Sequence, residues 1–168
     1  MVELMVVVAC IAVLLTIGIP SYRYVTNSNR VSGEINGLLG DLQFARAEAI
    51  KEGQTVSACI YTGGNGCAAG TGWQQGWAVF SDVNGNGAID PGDTILRIQP
   101  AFSSTDTLVD TANGTTSVTF NREGFAPGVA AGTLFTLHAT PPTSSSTRCL
   151  SVSIIGLMAV QAYGGGCT

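Results

Sequence analysis

Basic side chains are scarce in this chain: 7 Lys and Arg stand against 11 Asp and Glu in 168 residues, a net charge of −4. Past Gly53 only Arg97, Arg122 and Arg148 remain, facing Asp82, Asp90, Asp93, Asp106, Asp110 and Glu123. That portion offers no cationic surface for a phosphate backbone, so nucleic acid is not the expected partner. Histidine occurs once, as His138 within an apolar strand pattern, and no serine or cysteine is placed beside it as an activated nucleophile. The chain is therefore read as a non-enzyme. No CxxC or Cys/His cluster marks a zinc site, and no internal repeat or long low-complexity tract appears. These absences leave one small domain.

Charge itself is missing from Leu4 to Ile19, a run a little short of the ~20 residues that span a bilayer as a helix. Nothing basic precedes the run and Pro20-Ser21-Tyr22-Arg23 follows it, which fits a cleaved signal peptide poorly and a retained anchor better. Beyond Pro20, Val31, Ile35, Leu38, Leu42, Ala45 and Ala49 recur every three or four residues, the stripe of a helix buried on one side. Gly53, after Lys51 and Glu52, is the expected stop. One helix is thus expected to about residue 52, divided into an anchor over 1–20 and an amphipathic continuation over 21–52. Gly18 and Pro20 are expected to break or weaken its ladder at the junction.

From 53 to 168 the text changes to short β-rich runs: 55–61, 73–81, 94–99, 117–121, 134–139, 149–155 and 157–162, separated by Gly, Pro, Asn and Ser stretches. The architecture expected is α+β, antiparallel sheet packed on the exposed helix stripe. Trp73 and Trp77 frame one strand and read as core anchors. Cys10 lies in the apolar run, while Cys59, Cys67, Cys149 and Cys167 allow three connectivities. The short loops favour the two local pairings, each adding of order 2 to 3 kcal/mol. Disulfides imply an oxidising compartment.

An apolar N-terminal helix with a single glutamate, Glu3, near its start, a proline at the membrane exit and a one-sided continuation together resemble the type IV pilin-like proteins. The strings FARAEAIKEGQTV, WQQGWAVFSDVNGNGAIDPGDTIL and VTFNREG narrow the resemblance to the minor pilin and pseudopilin group that includes FimT, FimU and the H pseudopilin of type II secretion. The resemblance implies a long N-terminal helix packed on a β-rich head. It also implies a structural subunit, methylated and processed by prepilin peptidase, anchored once in the inner membrane with its head in the periplasm. Its partners would be the membrane and other pilins or pseudopilins met through the helix, and Glu3 would be the assembly contact, pairing with a neighbour's N-terminal amine. The cysteine pairs lean toward a type IV pilus rather than type II secretion.

Met1 falls where the family has leucine, so a leader, its cut site and the first two mature residues are expected upstream. A basic leader would also settle a conflict of topology. Arg23 and Arg30 alone would hold the head in the cytoplasm, whereas the cysteines argue for the opposite side.

The segment 82–93, DVNGNGAIDPGD, has the spacing of a calcium loop, with Asp82, Asn84, Asn86, Asp90 and Asp93 as oxygen side chains and Ala88 offering a carbonyl. It ends in Asp rather than the longer Glu, and no flanking helices are expected. A hairpin whose Asn-Gly pairs supply positive φ angles is the preferred reading, with calcium as the one candidate cofactor. DNA-binding members of the FimT kind carry a Gly-Arg-x-Arg pattern near the C-terminus. Here the corresponding stretch is Gly156-Leu157-Met158-Ala159, so a competence-type role would lack its cations.

Overall fold

The computed structural model describes residues 2–110, 112–130 and 132–167, with the side chains at 17–21 and 23 left aside. Helix α1 runs from Val2 to Glu52 as one element. It passes through Gly18 and Pro20, so the break expected there does not divide it: one proline removes a single donor, and the turns on either side carry the helix across. At its far end Gly53 adopts φ +68° and donates its N–H to the Ala49 carbonyl at 3.0 Å. A left-handed residue there closes the last turn, which only glycine does without strain.

The strands are β1 (Val56–Ile60), β2 (Gly76–Ser81), β3 (Thr94–Pro100), β4 (Thr107–Asp110), β5 (Ser117–Phe120), β6 (Thr133–His138), β7 (Thr147–Val152) and β8 (Met158–Ala162). They form two antiparallel four-stranded sheets rather than one, ordered β3-β2-β1-β5 and β4-β6-β7-β8. Trp73 stands in a short 3₁₀ turn before β2, not in the strand itself.

Both sheets rest on the same helix stripe. Val31, Ile35, Leu38, Leu42, Ala45 and Ala49 are fully buried and α1 contacts strands of each sheet. The same core holds Trp73, Trp77, Phe120, Phe135 and Leu150. Trp73 meets the Phe135 ring edge-on at 5.1 Å and donates its indole N–H to the Thr115 carbonyl at 2.8 Å. Trp77 donates to Asp41 Oδ2 of α1 at 2.9 Å. Each large aromatic thus buries its ring and satisfies its one polar atom.

Polar ties reinforce the seam. The Arg30 guanidinium grips Asp106 with Nε and Nη2, each at 2.9 Å from one carboxylate oxygen, and the Asp106 side chain is wholly buried. Thr140 N–H adds a third donor to Asp106 at 2.9 Å. Further along, Arg97 pairs with Asp41 at 3.2 Å and lies 3.7 Å from the Phe44 ring centre. A two-pronged, partly buried pair such as Arg30 with Asp106 fixes geometry as well as charge.

Cys59 is bonded to Cys67 and Cys149 to Cys167, leaving Cys10 free and exposed. The loops closed span 8 and 18 residues of separation. Replacing either pair by alanines is expected to lower the unfolding free energy by about 2 to 4 kcal/mol, read from denaturant unfolding curves with the m-value fitted separately because the freed unfolded chain exposes more surface.

Candidate functional site

Up to residue 30, α1 has no sheet beneath it. Its described apolar side chains are bare, with Leu4 69% and Met5 72% exposed and the other large ones from Val2 to Leu15 at half or more. A contiguous apolar surface of this size marks an interaction site rather than an ordinary solvent face. Thr16, the polar residue in this stretch, donates its hydroxyl to the Val13 carbonyl at 2.8 Å, so it presents no unsatisfied donor. Glu3 lies exposed in the first described turn of α1. Among the described residues it has no ion-pair partner. No helix of the described residues is long and apolar enough to cross a membrane.

The 82–93 segment is a closed turn. Asp82 is fully buried, and its carboxylate accepts the N–H groups of Gly85, Asn86 and Gly87 at 2.7, 3.2 and 2.8 Å and the Ser57 hydroxyl at 2.7 Å. Four donors fill the four lone-pair directions of a carboxylate, so none faces a cation. Across the turn, the side-chain amides of Asn84 and Asn86 both donate to Asp90 Oδ2, at 3.0 and 2.7 Å, and hold that carboxyl below its ordinary range. Asp93 accepts Val83 N–H at 3.0 Å and Asp90 N–H at 2.8 Å, while Ala88 N–H bonds Asn86 Oδ1 at 2.8 Å. Gly87 has φ +74°, and a Cβ there would meet Ser117 Oγ at 2.7 Å. Amide donors occupy the places where a calcium ion would need bare oxygens, and the residues do not fit the metal in this arrangement. Calcium titration is expected to give no heat and no change in melting temperature, whereas Asp82→Ala is expected to cost about 2 to 4 kcal/mol by orphaning buried donors.

Glu34 was not singled out by the sequence. It sits on α1 one turn from Arg30; Ser104 donates to its Oε1 at 3.1 Å, while its Oε2 is buried with no partner. Burial is the main force raising its carboxyl from 4.5 to about 6; the Ser104 hydrogen bond opposes the shift and the nearby Asp106 carboxylate adds to it. The folded state therefore holds a proton that the unfolded chain has released between about pH 4.5 and 6, and stability falls as pH rises through that window. Urea midpoints should decline from pH 4.5 to 6.5 in the parent protein. Glu34→Gln should flatten that slope and raise the midpoint at pH 7.

Arg46 was also missed as a site residue, although its string FARAEAI was noted. Its Nε donates to the Gly124 carbonyl at 2.9 Å, joining α1 to the turn of the NREG string. Gly156 abuts the same place with φ +73°, and a Cβ there would collide with the Gly124 carbonyl and approach Arg46 Nε to 2.9 Å. Three strings far apart in sequence thus meet at one end of the head. His138 is half-buried on β6 with its ring 3.2 Å from the Thr147 hydroxyl.

The sequence matches the family model described as type II transport protein GspH over residues 34–156. No curated protein matches. Among solved structures, the fold is similar to two crystal structures of the type IV minor pilin FimU of Pseudomonas aeruginosa strain PAO1. The P21 form shares 20% identity at a TM-score of 0.64, over 83% of this chain and 96% of that one. The P65 form shares 20% identity at 0.58, over 82% and 98%. At that identity the likeness is one of fold.

Proposed function

The chain belongs to the GspH family of pilin-like subunits, and on that premise we propose that it is a minor pilin, inserted in the inner membrane and then incorporated into, or priming assembly of, a type IV pilus. The bare apolar half of α1 with Glu3 in its first turn carries the proposal. The uncharged sequence continues from Leu4 to Tyr22, roughly 28 Å of helix against a hydrocarbon core of about 30 Å. The same surface that lipid covers before assembly is covered by neighbouring helices afterwards, so one sequence serves both environments. Head and disulfides then lie on the periplasmic side.

A carboxylate in a dry helix bundle needs a partner. Glu3 has none within its own chain among the described residues, which supports a partner on another subunit. The likeness to the FimU fold and the two disulfides favour the pilus. The family model itself favours a second reading, an H-type pseudopilin of type II secretion. DNA uptake is not favoured, because Leu157 and Ala159 occupy the positions where paired cations would be required.

Glu3→Ala should leave the head folded, since the residue touches nothing in it, yet abolish incorporation, because breaking a buried pair costs about 3 to 5 kcal/mol. Immunoblots of sheared filaments against whole membranes would read this. Normal incorporation of the variant would refute the role. Deleting the pilus and the secretion assembly machinery in turn would separate the two readings by which loss retains the protein in the membrane.

A further inference from the structure

The end of the head opposite the apolar helix carries a second surface with no partner in the chain. A cleft of about 500 Å³ lies between the last turns of α1 and the 153–157 turn, with Gln43, Arg46, Ile50, Gly156, Leu157 and Met158 on its walls. Its rim is apolar and open: Leu157 is 63% exposed, Ile155 59% and Ile50 52%. Phe125 and Ile154 continue the patch, joined by the Ala126 N–H to Ile154 carbonyl bond at 2.8 Å. Isolated exposed apolar residues are ordinary, but Ile50 and Leu157 on the walls of one cleft, with Ile154 and Ile155 in the same turn as Leu157, are not.

The cleft is held rigidly, and its charge is uncompensated. Gly124 and Gly156 both take positive φ angles and press their turns against Arg46: a Cβ at Gly156 would collide with the Gly124 carbonyl, and one at Gly124 would meet Ile50 and Arg46. Arg46 is half-buried, with Nε fixed on the Gly124 carbonyl, while its Nη1 and Nη2 have no hydrogen bond and no carboxylate at ion-pair distance among the described residues. The neighbouring charges are already matched: Glu123 by Arg122 at 2.8 Å and Glu48 by Lys51 at 2.6 Å. What remains is a planar two-pronged donor set in an apolar frame, the complement of a carboxylate adjoining a large apolar side chain.

We propose that this cleft is a second subunit-docking site, taking from a neighbouring pilin-family subunit a segment with a carboxylate beside a large apolar residue. The occupant follows from charge complementarity: Arg46 supplies the only unmatched cation beside the patch among the described residues, and an acidic head such as this one supplies the opposite sign. The proposal rests on the reading of the protein as an assembly subunit. It places a head contact at the far end of α1 from Glu3, so each subunit would be held at two separated points.

The test uses the full chain in detergent micelles and an acetylated phenylalanyl-glutamate amide as probe. Backbone amide signals of Gly124, Gly156 and Leu157 should shift saturably. Binding should weaken at least about tenfold, a loss of ~1.4 kcal/mol, when the probe carries glutamine instead of glutamate, and likewise for Leu157→Asp at unchanged melting temperature. Equal affinity for the two probes, or no shift at about 20 mM, would overturn the proposal. This measurement does not involve assembly, so its failure is distinct from normal incorporation of Glu3→Ala.

Discussion

Six residues of α1, Val31, Ile35, Leu38, Leu42, Ala45 and Ala49, are the ground on which both sheets stand. Neither sheet has another common layer. Each strand set is short, and a four-stranded sheet needs a second layer to bury its apolar face. Burial of each large aliphatic side chain on the stripe contributes about 1.5 to 3 kcal/mol, and the aromatic rings belong to the same core. The helix also sets an asymmetry. Its stripe ends at Val31 and its last tie to the head is Arg30, while the described apolar side chains from Val2 to Leu15 are unmatched.

A chain with few charges uses several of them internally. Asp82, Asp106 and Asp110 are all buried, and each accepts backbone N–H groups of a loop. Asp110 holds Ala112 and Asn113 N–H at 3.2 Å and the Thr115 hydroxyl at 2.5 Å. In a head rich in loops, the difficulty is the number of backbone donors away from any ladder. A buried carboxylate is one of the few groups that can satisfy three or four at once. The acidic excess therefore reports on loop closure as much as on partners, and counting Asp residues toward a metal would misread it.

Much of this was legible from residue order, and the reasons for the exceptions are physical. The α1 stripe follows a 3.6-residue period that admits no other reading, and all six of its residues are buried as expected. Strands with β-branched or aromatic residues fell within one to three residues of their observed limits. β4 was not foreseen: Thr107–Asp110 is four residues long and ends in an aspartate, a pattern that reads as loop. The division into two sheets was equally hidden, because pairing partners such as β4 and β6 are set by nonlocal packing rather than local propensity. The cysteine pairings followed from loop length. Arg46 with Gly124 did not, since 78 residues separate them and neither marks the other by spacing.

The two ends of α1 are governed by opposite requirements. On the proposed function its start must be uniform and apolar, because lipid and helix neighbours differ in shape and only apolar character satisfies both. Around Arg46 the surface must be particular. Two glycine turns fix one nitrogen of the guanidinium and leave the other two open, with an aliphatic rim that excludes water from any bond they make. Desolvation strengthens such a bond while penalising a partner without the matching charge. The first kind of surface gives adhesion with little discrimination, and the second gives discrimination with modest area. A subunit assembled as proposed requires both, and among the described elements α1 is the one long enough to join them.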